Sequence, residues 1–157
     1  GKGLAVRWAA EYLRGAGSSA LVEAGGDLMA LGPGPEGSGW MVGVENPYGG
    51  SDPAAVLRVT DRGVATSSTR IRSWKSGGKD VHHLVDPRTG ESAQTGLRAV
   101  SVVAADTATA EVWSKTLFVG GKASIRATTF PQTIHLQIAM DKPETVAPRR
   151  LINFGPS

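Results

Sequence analysis

The sequence has 157 residues and a mass of 16.3 kDa, which is the size of one domain. With 40% hydrophobic residues, 20% charged residues and a net charge of +3, its composition is that of a globular protein and excludes a disordered chain. The absence of cysteine excludes disulfides, thiolate metal sites and cysteine nucleophiles. No apolar run approaches the roughly 18 residues that a membrane span needs.

The first predicted element is an amphipathic helix over residues 4–14. Leu4, Trp8 and Tyr12 recur every four residues and therefore form one apolar row on its surface. Gly15 follows the last of the periodic residues and ends the helix. Because this helix begins with almost no lead-in, we expect the sequence to be part of a longer chain.

Short apolar segments separated by glycine- and proline-rich turns come next and predict strands. The predicted strands cover residues 20–24, 28–31, 40–45, 54–60, 64–68, 80–85 and 99–104. A second helix is predicted over residues 108–119, capped by Asp106 or Thr107 and ended by Gly120 and Gly121. Two closing strands, over 125–129 and 133–140, complete an α+β fold with a mostly antiparallel sheet and two main helices.

A Gly25-Gly26-Asp27 tripeptide separates the first two predicted strands. Two glycines allow the backbone to approach a ligand closely, and the aspartate could accept hydrogen bonds from ribose or ring N–H groups. The same tripeptide also suits an ordinary turn in which the aspartate caps the backbone.

A run of hydroxyl side chains, Thr66, Ser67, Ser68 and Thr69, lies at the end of the fifth predicted strand. Such a run could bind phosphate oxygens through side-chain and backbone donors, or it could be the polar end of a strand. No G-x-S-x-G motif surrounds these serines, so they lack the signature of a hydrolase nucleophile.

The adjacent histidines His82 and His83 are expected to lie on opposite faces of a strand, so only one of them can face a given pocket. That one could act as an acid, a base or a phosphate donor, or it could be structural. On the second helix, Glu111 and Lys115 are four residues apart, the spacing of an ordinary helix ion pair.

A basic stretch contains Arg70, Arg72, Lys75 and Lys79, with Trp74 among them. It could be a patch for nucleic acid or anionic lipid, or a solvated hairpin loop. Because the net charge is small and no second basic stripe supports it, we favour the hairpin and do not expect a nucleic-acid partner.

Five motifs occur in a recognisable order along the chain. They are Lys2-Gly3, Gly25-Gly26-Asp27, Thr66-Ser67-Ser68, the turn from His83 through Asp86 to Gly90, and Ala110-Glu111. In this order they resemble the C-terminal half of the ApbE family, the FAD:protein FMN transferases. The resemblance covers most of this sequence but about half of a usual member, so residues 1–157 are interpreted as an ApbE-like domain that lacks its N-terminal half.

The resemblance implies that the chain binds FAD and a divalent cation, usually magnesium. It implies the transfer of FMN onto a serine or threonine of an acceptor flavoprotein, with release of AMP. Family members are often extracytoplasmic and membrane-anchored, but no signal is present in this sequence, so the compartment stays open. A sheet left exposed by a missing half would favour pairing of two copies, so a homodimer is a further expectation.

The resemblance also assigns residues to the site. It implies FAD binding by Lys2, Gly3, Gly25, Gly26, Asp27, Thr66, Ser67, Ser68, His83, Asp86 and Thr89, with His83 as the catalytic residue near the pyrophosphate. The family's cation-ligand positions hold Glu111, which could still bind magnesium, and Lys115, which could not. The Lys115 ammonium could instead neutralise phosphate. The alternative function is an FAD-binding module that has lost transfer because its cation site is altered.

Overall fold

A computed structural model describes residues 1–129, 135–140 and 151–154 of the chain. Its helices are α1 (Lys2–Leu13) and α2 (Thr107–Ala127). Its strands are β1 (Ala20–Ala24), β2 (Asp27–Leu31), β3 (Trp40–Val44), β4 (Ala55–Val59), β5 (Arg62–Ser68), β6 (Ser73–Ser76), β7 (Lys79–His82), β8 (Leu97–Ala104), β9 (His135–Met140) and β10 (Leu151–Phe154). Neither helix is long and apolar enough to cross a membrane in the part of the chain described.

The strands form three sheets, and the predicted α+β fold is confirmed. A five-stranded antiparallel sheet has the order β1-β2-β5-β8-β9, and a three-stranded sheet has the order β10-β4-β3. The basic stretch forms a separate two-stranded hairpin of β6 and β7, as the sequence favoured. The pairing of β10 with β4 is parallel, and every other strand pairing is antiparallel among the residues described.

The large sheet lies between the two helices on one face and the small sheet on the other. On the helical face, Phe118 and Leu117 of α2 pack against Val100 and Val102 of β8. The opposite face packs against the small sheet through a second apolar cluster that includes Leu57. Strand β8 is buried on both faces, which explains its nearly continuous apolar sequence.

Helix α2 does not end where the sequence suggested. Gly121 departs from helical geometry with a φ of 69°, but the helix resumes and continues to Ala127. The predicted strand over 125–129 is therefore wrong. The last turn is instead closed by Thr128, whose backbone N–H and hydroxyl both donate to Ser124 O. A glycine in the left-handed region can thus kink a helix without terminating it when residues after it keep helical contacts.

Two glycines allow the backbones around α2 to approach closely. A Cβ on Gly3 would lie 2.7 Å from Thr107 O and 2.9 Å from Glu111 Cβ, so α1 and α2 can meet here only at glycine. A Cβ on Gly63 of β5 would lie 2.1 Å from Thr107 N. Both close contacts involve Thr107, the first residue of α2, and therefore fix where this helix begins. The position of Glu111 and Lys115, one and two turns further along α2, follows from that start.

Candidate functional site

A cleft of about 900 Å³ lies where α1, the β1–β2 turn, the end of β5 and α2 meet. Most of the residues that the sequence assigned to a site line it: Lys2, Gly25, Gly26, Asp27, Thr66, Ser67, Ser68, His83, Glu111 and Lys115. Gly3, Asp86 and Thr89 do not line it. The fold therefore brings most of the separate motifs to one place.

Lys2 holds the β1–β2 turn in position. Its ammonium donates to Gly25 O at 2.8 Å and to Ala24 O at 3.4 Å, and lies 3.3 Å from Asp27 Oδ2. Gly25 and Gly26 form the turn with φ values of 57° and 89°, which glycine adopts without strain. The first turn of α1 and the glycine-rich turn are thereby joined by one side chain.

Asp27 is a buried carboxylate in the wall of the cleft, with its side chain 4% exposed. Burial raises the pKa of Asp27 above its ordinary value, the Lys2 ammonium opposes that rise, and the negative charge of Glu111 adds to it. Its Oδ2 atom accepts no hydrogen bond from the described residues and is balanced by the charge of Lys2.

Glu111 and Lys115 form a second ion pair in the cleft, near enough to the first for their charges to act on Asp27. Glu111 Oε1 lies 2.6 Å from Lys115 Nζ, and Glu111 Oε2 accepts the backbone N–H of Gly3 at 2.8 Å. Burial acts to raise the pKa of Glu111, but the hydrogen bonds from Lys115 and Gly3 outweigh it and lower the pKa below its ordinary value. Glu111 is therefore ionised at neutral pH.

The hydroxyl groups of β5 already have partners within the protein. Thr66 Oγ1 lies 2.8 Å from Ser101 Oγ, and Ser68 Oγ accepts the backbone N–H of Arg70. Ser67 Oγ lies 3.0 Å from Ser114 Oγ, which donates its one hydrogen to Glu111 O.

It follows that Ser67 donates its own hydrogen to Ser114. The two serines are buried, at 3% and 1% exposure, so this hydrogen bond lies in the protein interior. Ser67 can accept a further hydrogen bond but has no hydrogen left to donate to a phosphate.

The two adjacent histidines have different surroundings, as predicted. His82 points into the core, where its ring meets Phe118 edge-on at 5.9 Å and its Nε2 lies 3.1 Å from Ala93 O. His83 lines the cleft, with Nδ1 3.3 Å from Arg72 O. Partial burial lowers the pKa of His83, the charges of Arg72 and Lys115 lower it further, and the hydrogen bond with Arg72 O opposes them. His83 is therefore neutral at pH 7.

Asp86 organises the turn beyond His83. Its carboxylate accepts the backbone N–H of Arg88 at 2.9 Å and pairs with the Arg88 guanidinium at 2.6 Å. Its carbonyl accepts the N–H groups of Thr89 and Gly90. Asp86 and Thr89 thus close a turn and do not reach the cleft, so any effect of theirs on a ligand passes through the position of His83.

We expect the Asp86 carboxyl to titrate far below an ordinary aspartate. Hydrogen bonds from Arg88 lower the pKa of Asp86 to about 2. A carboxyl group whose pKa is lower in the folded than in the unfolded chain stabilises the fold at pH values above its unfolded-state pKa. This stabilisation is lost as the pH falls through about 2, the pKa of Asp86 in the folded chain. An NMR titration of the carboxyl carbons should show this midpoint in the native chain. Arg88→Ala should move it up toward the usual value of about 3.9, and an unchanged midpoint in that variant would contradict the assignment.

The predicted cation-ligand positions do not fit a divalent metal. Within residues 1–129, no three carboxylate, histidine or cysteine side chains lie together as a metal-binding group. Glu111 is ion-paired with Lys115, and an ammonium cannot be a ligand. The expectation of a magnesium site at Glu111 and Lys115 therefore finds no support in the geometry.

The sequence did not point to two parts of the cleft wall. Residues 42–45, at the end of β3, line the side formed by the small sheet, and Arg72 lines the side near His83. Arg72 belongs to the basic stretch, whose other members have different surroundings: Arg70 pairs with Glu45, and Lys75 lies opposite Asp80 in the hairpin. The basic stretch in the sequence could have indicated Arg72 as a candidate, but only the fold shows that Arg72 lines the cleft while Lys75 does not.

Comparison with known proteins agrees with the motif order. A family model described as the ApbE family matches residues 1–136. The FAD:protein FMN transferase of Treponema pallidum is 35% identical over 135 residues, which cover 79% of this chain and 37% of that protein. The protein of the same name from Haemophilus influenzae is 34% identical over 104 residues, which cover 65% of this chain and 30% of that protein.

Solved structures show the same fold. The ApbE protein of Thermotoga maritima superposes with a TM-score of 0.74 at 31% identity, covering 89% of this chain and 46% of that one. The apo flavinyl transferase ApbE of Pseudomonas stutzeri gives a TM-score of 0.64 at 26% identity, covering 88% of this chain and 47% of that one. The chain thus spans less than half the length of these relatives. The motifs, the family model and the fold together show that this chain belongs to the ApbE family.

Proposed function

We propose that this chain forms the FAD-binding, C-terminal part of an FAD:protein FMN transferase domain. The observation that carries the proposal is the gathering of the Lys2, Gly25-Gly26-Asp27, Thr66-Ser68, His83 and Glu111 segments around one cleft. Relatives that bear the name FAD:protein FMN transferase are 30–35% identical to this chain over 102–135 residues. A cleft of about 900 Å³ is large enough for a ligand the size of a dinucleotide.

The proposed reaction is a phosphoryl transfer. A serine or threonine hydroxyl of an acceptor flavoprotein attacks the phosphorus on the FMN side of FAD, a new phosphoester P–O bond forms, and the pyrophosphate P–O bond to AMP breaks. The hydroxyl proton must leave, and the negative charge that AMP takes away must be stabilised. In this proposal neutral His83, which lines the cleft, accepts the proton, and the cations that line the cleft stabilise the charge.

We expect His83→Ala to lower the rate of flavin transfer by about 10²–10⁴-fold, the usual contribution of a general base. Because neutral His83 is the active form, the wild-type rate should fall as the pH drops through the lowered pKa of this residue. The rate is measured as covalent flavin fluorescence on the acceptor after denaturing electrophoresis, together with AMP release.

Lys75→Ala is the matched control for His83→Ala, because Lys75 is exposed on the neighbouring hairpin and does not line the cleft. Equal rates for wild type and His83→Ala would remove His83 from the catalytic role. Loss of transfer in Lys75→Ala would instead point to the hairpin as a contact for the acceptor.

The second candidate function is FAD binding without transfer. The observation that favours it is the ion pair between Glu111 and Lys115, which stands at the positions where the family resemblance implies a metal. Titration with FAD and the transfer assay separate the two candidates, since both require FAD binding and only the first releases AMP. Restoration of magnesium-dependent transfer by Lys115→Thr would support the second candidate.

A further inference from the structure

Four charged groups face one another on the floor of the cleft. Lys2 pairs with Asp27 at 3.3 Å, Lys115 pairs with Glu111 at 2.6 Å, and Asp27 is close enough to feel the charges of both Glu111 and Lys115. Two ammonium groups and two carboxylates sum to zero charge. Because each carboxylate is already neutralised by an ammonium group, the cluster has no net negative charge to attract a divalent cation.

The two lysines differ in how many of their hydrogens the protein uses. The Lys2 ammonium donates to Ala24 O and Gly25 O, and it is also ion-paired with the buried Asp27 carboxylate, with Nζ 3.3 Å from Oδ2. Within the described residues, Lys115 meets one acceptor, Glu111 Oε1. Two N–H donors of Lys115 therefore remain for a ligand, and its side chain is 48% exposed at the cleft.

Glu111 fixes the direction of the Lys115 ammonium. Its side chain is only 12% exposed, and its second oxygen is held by the Gly3 N–H at the contact between α1 and α2. The carboxylate cannot turn toward a metal without losing both partners. Lys115 is thus a cation with a defined position, in the same cleft as Thr66, Ser67 and His83.

We propose that the Lys115 ammonium, oriented by Glu111, binds the pyrophosphate of FAD and that FAD binding by this chain therefore needs no divalent metal. This inference rests on the proposed function. Lys2 has a different role, since it positions the Gly25-Gly26 turn and its charge is opposed by the buried Asp27 carboxylate. Arg72 supplies a further positive charge to the cleft near His83.

The test is a titration of the purified chain with FAD, followed by flavin and tryptophan fluorescence, once in EDTA and once in magnesium. The wild-type dissociation constant should be the same in both buffers. Lys115→Ala and Lys115→Gln should each raise it by about tenfold or more in EDTA, because a charge-assisted hydrogen bond to phosphate is lost. Lys115→Arg keeps the charge and should retain most of the affinity.

Lys122→Ala is the control, because Lys122 is exposed on the same helix and does not line the cleft. The removal of its charge should leave FAD affinity unchanged. Circular dichroism of each variant establishes that it is folded, and the glutamine variant keeps most of the side chain in place if alanine disturbs the helix.

Three outcomes would overturn the inference. Equal affinity of wild type and both neutral variants in EDTA would remove Lys115 from phosphate binding and leave the proposed function standing. Wild-type binding that appears only with magnesium would restore the metal and also leave the proposed function standing. Failure of the wild-type chain to bind FAD in either buffer would overturn the inference together with the proposed function.

Discussion

Replacing Phe118 with alanine is expected to lower the free energy of unfolding by about 3–5 kcal/mol. The Phe118 side chain is fully buried at the centre of the cluster between α2 and the large sheet, so its removal leaves a cavity that rigid strands cannot close. The melting temperature should fall by roughly 6–20 °C for a chain of this size. Because the ring also contacts His82, the base of the hairpin that carries His83 should loosen.

Val112→Ala is the matched control for Phe118→Ala, because Val112 lies on the same helix and is 63% exposed. The free energy of unfolding of this control should stay within about 0.5 kcal/mol of wild type. Thermal and urea unfolding, followed by circular dichroism, measure both variants. Equal losses in the two variants would mean that the apolar centre lies elsewhere.

Gly63→Ala is expected to destabilise the fold by about 1–3 kcal/mol through overpacking. The new Cβ would lie 2.1 Å from Thr107 N and 2.2 Å from Asp106 C, and both are backbone atoms that no side-chain rotation can move away. The first turn of α2 must shift, and with it Glu111 and Lys115 in the cleft. We therefore expect weaker FAD binding as well as lower stability.

Gly17→Ala controls for the added methyl group, since nothing lies within 4 Å of a Cβ there and the backbone is not in the left-handed region. Its stability and its FAD affinity should match those of wild type. If Gly63→Ala unfolded at the same urea concentration as Gly17→Ala, the close contact between β5 and α2 would not exist in solution.

The arrangement of elements could be predicted well where a pattern repeats locally. The apolar run around Val100 predicted the buried strand β8. The four-residue spacing of Leu4, Trp8 and Tyr12 predicted the helix α1 but not its buried face, because Trp8 and Tyr12 are exposed and the helix packs through residues 3, 6 and 10 instead.

The sequence predicted that His82 and His83 face different ways, and His82 does meet Phe118 while His83 lines the cleft. The strand itself is shorter than predicted, since β7 ends at His82.

Other features depend on contacts between distant segments and left no local signal. The sequence predicted that Gly121 ends the second helix, but α2 bends there and continues to Ala127. Whether a helix ends or bends at a glycine depends on the contacts of the residues that follow it. Strand β10 lies in a proline-containing tail that predicted no strand, because it forms by parallel pairing with β4. The motif order placed Ser67 at the site, yet its hydrogen bond to Ser114 required knowledge of how β5 meets α2.

The parallel pairing of β10 with β4 also constrains the order in which the molecule can be assembled. Strand β4 pairs with β3 directly before it in the chain, but its other edge is completed only by a strand that follows β5 to β9 and α2. On a ribosome that adds about 5–20 residues per second, this edge waits on the order of seconds for its partner. During that interval its unpaired N–H and C=O groups are exposed to any other strand nearby. Nascent chains therefore expose an edge that can pair with other strands until β10 emerges.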